Sequence, residues 1–142
     1  MMDPVIHGEA AHIIIYLNRQ RNRFMSGKLG PAGLSGPSHY LITGISRDPG
    51  TSQDALAEKY MLDKGNVARW AKQLEQAGYI IRKISTTDRR LYQLFLTERG
   101  EEAAAYIKKC VHEWGDLISR GFTDEEYTAA VDILRRMEEN SR

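Results

Sequence analysis

Apolar positions along the chain recur with helical periods over most of its length. Ile6, Ala10, Ile13, Leu17 and Phe24 fall at heptad-like spacing, which gathers them on one stripe and predicts a helix over 5–25. Arg19, Arg21 and Arg23 lie mostly off that stripe. The period stops at Ser26-Gly27, and the Gly-rich stretch 26–36, with Pro31, reads as a loop and a mobile joint. Pro37 suits the first turn of a second helix running to about Arg47, and Asp48-Pro49-Gly50 stops it with a turn. Thr51 or Ser52 caps a short helix over 52–60 that offers Ala55, Leu56 and Tyr60 to a core. Met61 and Leu62 make a tight connection, Asp63 caps a helix over 64–77, and Gly78 closes it.

Beyond Gly78 the period changes. Ile80–Ile84 and Leu91–Leu96 are apolar and β-prone, and the polar run Ser85-Thr86-Thr87-Asp88-Arg89-Arg90 between them reads as the tip of a β-hairpin. Thr97 then caps a long helix over 98–119, with Ala103, Ile107, Cys110 or Val111, Trp114 and Leu117 on one stripe. Gly121 ends it. Thr123-Asp124-Glu125-Glu126 is a capping box for a last helix over 124–139, with Tyr127, Val131, Leu134 and Met137 turned inward. The order ααααββαα is mainly α (α+β). Two helices joined by about three residues form a helix-turn-helix, and the hairpin after them adds a wing. Residues 37–97 are therefore expected to form a winged helix-turn-helix lobe within one domain spanning 1–142. The flanking helices, 5–25 and 98–140, carry more apolar surface than one lobe can cover, so a homodimer is expected.

Composition narrows the class. The chain has 142 residues, 42% hydrophobic and 27% charged, as an ordinary globular domain does. No apolar run approaches the roughly 18 residues of a membrane span, and the start lacks the pattern of a signal peptide, so no membrane partner and a cytoplasmic location are expected. The lone Cys110 reads as a buried small side chain. Net charge is +1, but it is unevenly spread: residues 64–90 hold seven basic and two acidic side chains, net +5, and residues 101–142 hold six and ten, net −4. A basic centre inside a near-neutral protein points to nucleic acid.

The helix 64–77 carries that charge in a usable form. Val67, Ala71 and Leu74 share one face; Asn66, Arg69, Gln73 and Gln76 lie opposite, with no carboxylate among them. Arg pairs with guanine edges, and Asn and Gln with adenine edges. Trp70 sits at the border, suited to core-edge packing or to contact with a sugar or a thymine methyl. Thr51, Ser52 and Gln53 open one helix and Lys64 opens the next, where free N–H groups suit phosphate. Arg82 and Lys83 lie on the leading strand and Arg89 and Arg90 at the tip, placed to bring a guanidinium into the narrow minor groove. A solvated turn, with Asp88 pairing one arginine, is compatible with that.

Asp63-Lys64-Gly65-Asn66-Val67-Ala68-Arg69, Leu74-Glu75-Gln76-Ala77-Gly78-Tyr79-Ile80, Asp88-Arg89-Arg90 and Leu96-Thr97-Glu98-Arg99-Gly100 together resemble the MarR family of bacterial and archaeal regulators over about residues 35–100. The resemblance implies a triangular homodimer with intertwined first and last helices, a recognition helix in the major groove of double-stranded DNA and a wing arginine in the minor groove. It also implies that many members release DNA on binding a small, often phenolic or anionic, effector. Gly65 departs from the small hydroxyl residue often found there, and Trp70 is bulkier than usual. The first helix has no cysteine, so the peroxide-sensing branch is unsupported.

Other chemistry finds little footing. His7 and His12 are five apart and Cys110 and His112 two apart, neither a same-face helical pair, so no metal and no cofactor are expected. Gly27-Lys28-Leu29-Gly30 lacks the phosphate-loop pattern, and no catalytic constellation is present, so an enzyme is not expected. His12, Tyr16, His39 and Tyr40, near the junction of lobe and dimer region, are candidates to line an effector pocket, against ordinary packing. The function expected is a DNA-binding transcriptional regulator, a repressor; the alternative is a winged-helix adaptor that binds protein, for which a carboxylate-free basic face has no use.

Overall fold

The computed structural model describes every residue except Met2 and Ser35. Its elements follow the expected order: α1 (Pro4–Leu29), α2 (His39–Arg47), α3 (Gln53–Lys59), α4 (Lys64–Gln76), β1 (Ile80–Ile84), β2 (Tyr92–Leu96), α5 (Glu98–Ile118) and α6 (Asp124–Asn140). Residues 1–111 form one compact unit and residues 112–142 a second, with α5 running out of the first and into the other. No helix of the described residues is long and apolar enough to cross a membrane.

α1 starts at Asp3, whose carboxylate accepts from the Val5 N–H at 2.8 Å. It runs past Gly27 to Leu29, so the loop expected over 26–36 begins four residues late. Met25 and Leu29, four apart, are both buried and draw the last turn onto the core, while Gly27 faces open space. A short 3-10 turn, Gly30–Ala32, follows; Leu34 is buried and its N–H bonds the Leu29 carbonyl at 3.1 Å. The Tyr79 hydroxyl donates to the Ala32 carbonyl at 2.8 Å. The described part of this segment is thus anchored, not the open joint its glycines suggest. A second 3-10 turn, Gly36–Ser38, leads into α2, with Pro37 in the opening turn as expected.

The core of the first unit gathers Leu41, Ile42 and Ile45 of α2, Leu56 of α3, Val67, Ala71 and Leu74 of α4, and Ile80 and Leu94 of the hairpin. α5 closes it with Ala103, Ile107 and Cys110, which settles the choice between Cys110 and Val111. Ser52, not Thr51, caps α3, accepting from the Ala55 N–H at 3.1 Å; Asp63 caps α4 through the Asn66 N–H at 2.9 Å. Gly78, at φ 82°, takes the left-handed turn from α4 into β1. At Gly100 a Cβ would run into the Tyr79 carbonyl oxygen, so only glycine lets α5 start this close to the hairpin.

β1 and β2 pair antiparallel from Ile80↔Leu96 to Ile84↔Tyr92. The Leu94 backbone also bonds Gly50 and Thr51, at 2.8 and 2.9 Å, which pins the hairpin to the entry of α3. In the second unit the expected capping box is formed: Thr123 accepts from the Glu126 N–H and Glu126 from the Thr123 N–H. Of the α6 residues expected to face inward, Tyr127 and Val131 are half-buried, but Leu134 and Met137 are exposed. The α1 stripe likewise stays open, with Ile6, Ile13 and Leu17 all exposed.

Candidate nucleic-acid interface

α3, the turn 60–63 and α4 form the helix-turn-helix, and α4 divides as its sequence predicts. Val67, Ala71 and Leu74 are buried; Arg69, Gln73 and Gln76 are exposed and Asn66 half-exposed. Arg69 Nη2 donates to Asn66 Oδ1 at 2.8 Å, which holds the guanidinium along the outer face with donors to spare. Trp70 is half-buried against the core and, with Gln73, borders a small cavity of about 100 Å³. Core-edge packing is therefore its place, and a base contact through its ring is not favoured.

Thr51 differs from expectation too. It is 8% exposed, its N–H donates to the Asp48 carbonyl at 3.1 Å and its own carbonyl accepts from the Leu94 N–H, so it has little left to donate to a phosphate. Ser52 and Gln53 stay partly open and Lys64 is exposed. Lys64 Nζ lies 3.7 Å from Asp54, a loose pair between two exposed side chains that a phosphate can replace.

The wing tip is built on Ser85. Its buried Oγ accepts from the Thr87 and Asp88 N–H groups at 3.2 and 3.3 Å, and its own N–H bonds the Leu91 carbonyl at 2.9 Å. Asp88 Oδ1 then accepts from the Arg90 backbone N–H at 3.0 Å and from Arg90 Nε at 3.1 Å, and Oδ2 from Nη2 at 3.2 Å. These side-chain and backbone bonds hold the Asp88 carboxyl below its ordinary pKa. The Arg90 side chain stays 89% exposed despite the clasp, so it is oriented and still available. Arg89 is exposed and has no hydrogen bond or ion pair among the described residues. Lys83 is exposed, with Nζ 5.1 Å from the centre of the Phe95 ring. A groove of about 180 Å³ between Ser52, Gln53 and Arg90 shows that the α3 entry and the wing tip face one space.

Sequence reading missed Glu75–Arg82. Arg82 forms a fork on the Glu75 carboxylate at 2.9 and 3.1 Å and lies 5.1 Å from the Tyr92 ring. The fork lowers the Glu75 pKa and raises that of Arg82. Arg82 therefore belongs to the frame, not to the free basic surface. The two residues are seven apart across a helix end, a spacing no periodicity flags. Arg99 was missed likewise: it donates to the Ala77 carbonyl at 2.7 Å and lies over the Tyr79 ring.

Of the four candidate effector residues, the structure brings together two. His39 is buried, stacked on Tyr40 at 4.4 Å, with Nδ1 at 3.0 Å from the Gly36 carbonyl. Burial, and secondarily the charge of Arg21, lowers its pKa against the opposing pull of that carbonyl. Arg21 donates to the Tyr40 hydroxyl at 2.8 Å, and Tyr40 lies 5.1 Å from Tyr60. His39 Nε2 and the Tyr60 hydroxyl are buried without a hydrogen-bond partner among the described residues. Two adjoining cavities sharing Asn22 and Pro37 flank the cluster. One of about 100 Å³ touches His39, and an open one of about 440 Å³ is bordered by Asn18, Tyr40, Lys59, Tyr60 and Met61. His12 and Tyr16 lie earlier on α1, exposed, and line neither.

A helix-turn-helix with a basic wing pinned beside it defines a winged-helix DNA-binding protein. Residues 34–92 match the MarR family. The transcriptional regulator BilQ of Clostridium symbiosum is 31% identical over 80% of this chain and 79% of its own. A MarR transcriptional regulator from Methanosarcina mazei superposes with TM-score 0.89 at 30% identity, covering 94% of this chain and 96% of its own. A MarR family regulator from Listeria monocytogenes, solved with a 26mer DNA, superposes with TM-score 0.86 at 23% identity, covering 99% and 89%. The chain belongs to the MarR family of winged helix-turn-helix transcriptional regulators, which bind DNA and are not enzymes.

Proposed function

We propose that the protein is a repressor that acts as a homodimer on a pseudo-palindromic operator and is released by a small aromatic or anionic effector. The observation that carries this reading is the outer face of α4. The one carboxylate of the helix, Glu75, is spent on Arg82, leaving Asn66, Arg69 and Gln73 to face base edges in the major groove. Beside it Asp88 presents Arg90, with Arg89 next to it, toward the minor groove. Ser52, Gln53, Lys64 and Lys83 surround these as phosphate contacts, which set register without reading sequence. The DNA-bound Listeria relative supports a duplex as the target. Exposed apolar surface on α1 and α6 supports a second copy as the dimer partner. Half-sites are then about 10 base pairs apart, one helical turn. The cavities beside His39 and Tyr40, with their unpartnered polar atoms and the nearby Lys59, support an effector there in place of the wider set that includes His12 and Tyr16. Regulation of this kind belongs in the cytoplasm.

The test compares binding to operator and scrambled duplexes across a salt series. Arg69→Ala is expected to cost about 1–3 kcal/mol per half-site and to relax preference at one or two positions. Replacing Arg89 and Arg90 together is expected to weaken both duplexes and to lower the salt slope by roughly one unit per lost phosphate contact. If neither variant changes binding, the protein-adaptor reading replaces this one.

A further inference from the structure

From the Glu75–Arg82 fork we infer that this pair is the positioning clamp between recognition helix and wing, and that it sets how far apart the two groove contacts land on DNA. The inference rests on the two-groove reading above. Three features of the hairpin carry it. Its base is held by buried Ile80 and Leu94 and by the Leu94 bonds to Gly50 and Thr51. Its distal half has no such support, since Ile84 and Tyr92, paired across the strands, are both exposed. A two-stranded ribbon without packing is marginal and variable in twist.

Arg82 sits where the packing stops. It reaches from β1 to the Glu75 carboxylate on α4 with two parallel bonds, and its guanidinium covers the Tyr92 ring on β2. One side chain thus ties both strands to the recognition helix. A fork of this kind fixes direction as well as distance. Pairs this exposed, with side chains 25% and 36% accessible, add little to stability. What the fork supplies is the angle of the wing. It also gives a use within the protein to one cation of the basic stretch.

The experiment uses a duplex selected by the full-length protein from a random pool. A second duplex carries one extra base pair in each half-site, between the core triplet and the outer minor-groove step. Centre-to-centre spacing of the half-sites is unchanged, so only the reach from helix to wing is tested. The wild type is expected to lose about 10-fold or more in affinity on the lengthened duplex, a loss of the size of a mismatch. E75Q and R82K are each expected to cut that ratio to about 3-fold or less, because a released wing follows the groove. The ratio cancels any uniform gain from freeing Arg82, and R82K keeps the charge while losing the fork. Thermal midpoints close to wild type show that the lobe is intact. A ratio unchanged in both variants overturns the clamp and leaves the two-groove reading standing. A wild type indifferent to the extra base pair overturns both.

Discussion

The winged lobe and the two helices at the chain's ends solve the burial problem in opposite ways. In the lobe, α2, α3, α4 and the hairpin each bury an apolar face against the others, and Leu41, Ile42, Ile45, Val67 and Leu94 are fully enclosed. α1 buries nothing before Met25, although Ile13, Ile14, Ile15, Tyr16 and Leu17 follow one another on several sides of the helix. α6, in the second unit, has 17 residues and no buried one. An apolar helix of this length is marginal alone in water, and one apolar on several sides is built to be enclosed. The lobe therefore carries its stability within one chain. The end helices leave most of their apolar surface exposed in the single chain.

That contrast is open to attack from both sides, and the core gives the largest effect. Leu41→Ala empties a fully buried site in the lobe and is expected to cost about 2–5 kcal/mol by denaturant unfolding. Ile13→Asp with Leu134→Asp adds charge to positions 47% and 51% exposed, and is expected to leave the lobe folded while abolishing the dimer in sedimentation. Operator affinity then falls with the dimer. A double variant that stays dimeric at micromolar concentration removes the distinction between the two regions.

How much of this was legible in sequence follows the same divide. Within the lobe, periodicity and caps located every element within a residue or two, because Ser52, Asp63, Gly78 and Thr97 act through bonds to their own neighbours. The end of α1 was misplaced because Gly27 is a local stop signal, while Met25 and Leu29 are held by distant residues that outweigh it. Recognition-face residues could be read from one helix. Arg82 could not, since its use depends on which way β1 lies over α4. Thr51 reads as a phosphate contact because nothing local shows that the hairpin, bonded through Leu94 to its carbonyl, leaves it buried. His39 and Tyr40 were legible as a pair, but placing His12 and Tyr16 beside them needed the path of α1.

A smaller effect tests whether the lobe's burial is paid for by a titrating group. Burial lowers the His39 pKa in the fold from its ordinary 6.5, so the unfolded chain binds a proton more readily. Stability from this source is complete above the unfolded pKa and is lost as pH falls from there toward the folded value. Melting of wild type and His39→Gln between pH 7.5 and 5.5 checks this. The wild type should lose more stability than the variant on acidification, at any protein concentration. Equal slopes would mean that His39 is not the group responsible.

The smallest expected effect lies in the turn of the helix-turn-helix. Met61 has φ 52°, a left-handed backbone that a non-glycine residue adopts at a cost of roughly 1–2 kcal/mol. Its side chain is 92% exposed, so no packing is lost on truncation. Met61→Gly relieves the strain but loosens the unfolded chain, which takes back about half of the gain. The net expectation is a stabilisation of about 0.5 kcal/mol, read as a rise of roughly 2 °C in melting temperature. Because the turn belongs to the self-contained lobe, that rise should be the same in the wild type and in the Ile13→Asp, Leu134→Asp background. A gain seen only in the dimer would place the strain under control of the end helices. A loss in both backgrounds would show that Met61 holds the turn through contacts along the cleft it borders with Lys59 and Tyr60. Strain retained at an exposed turn is a reason to test for a role there, and the variant's affinity for operator duplex, measured beside its melting, shows whether the methionine has one in DNA binding.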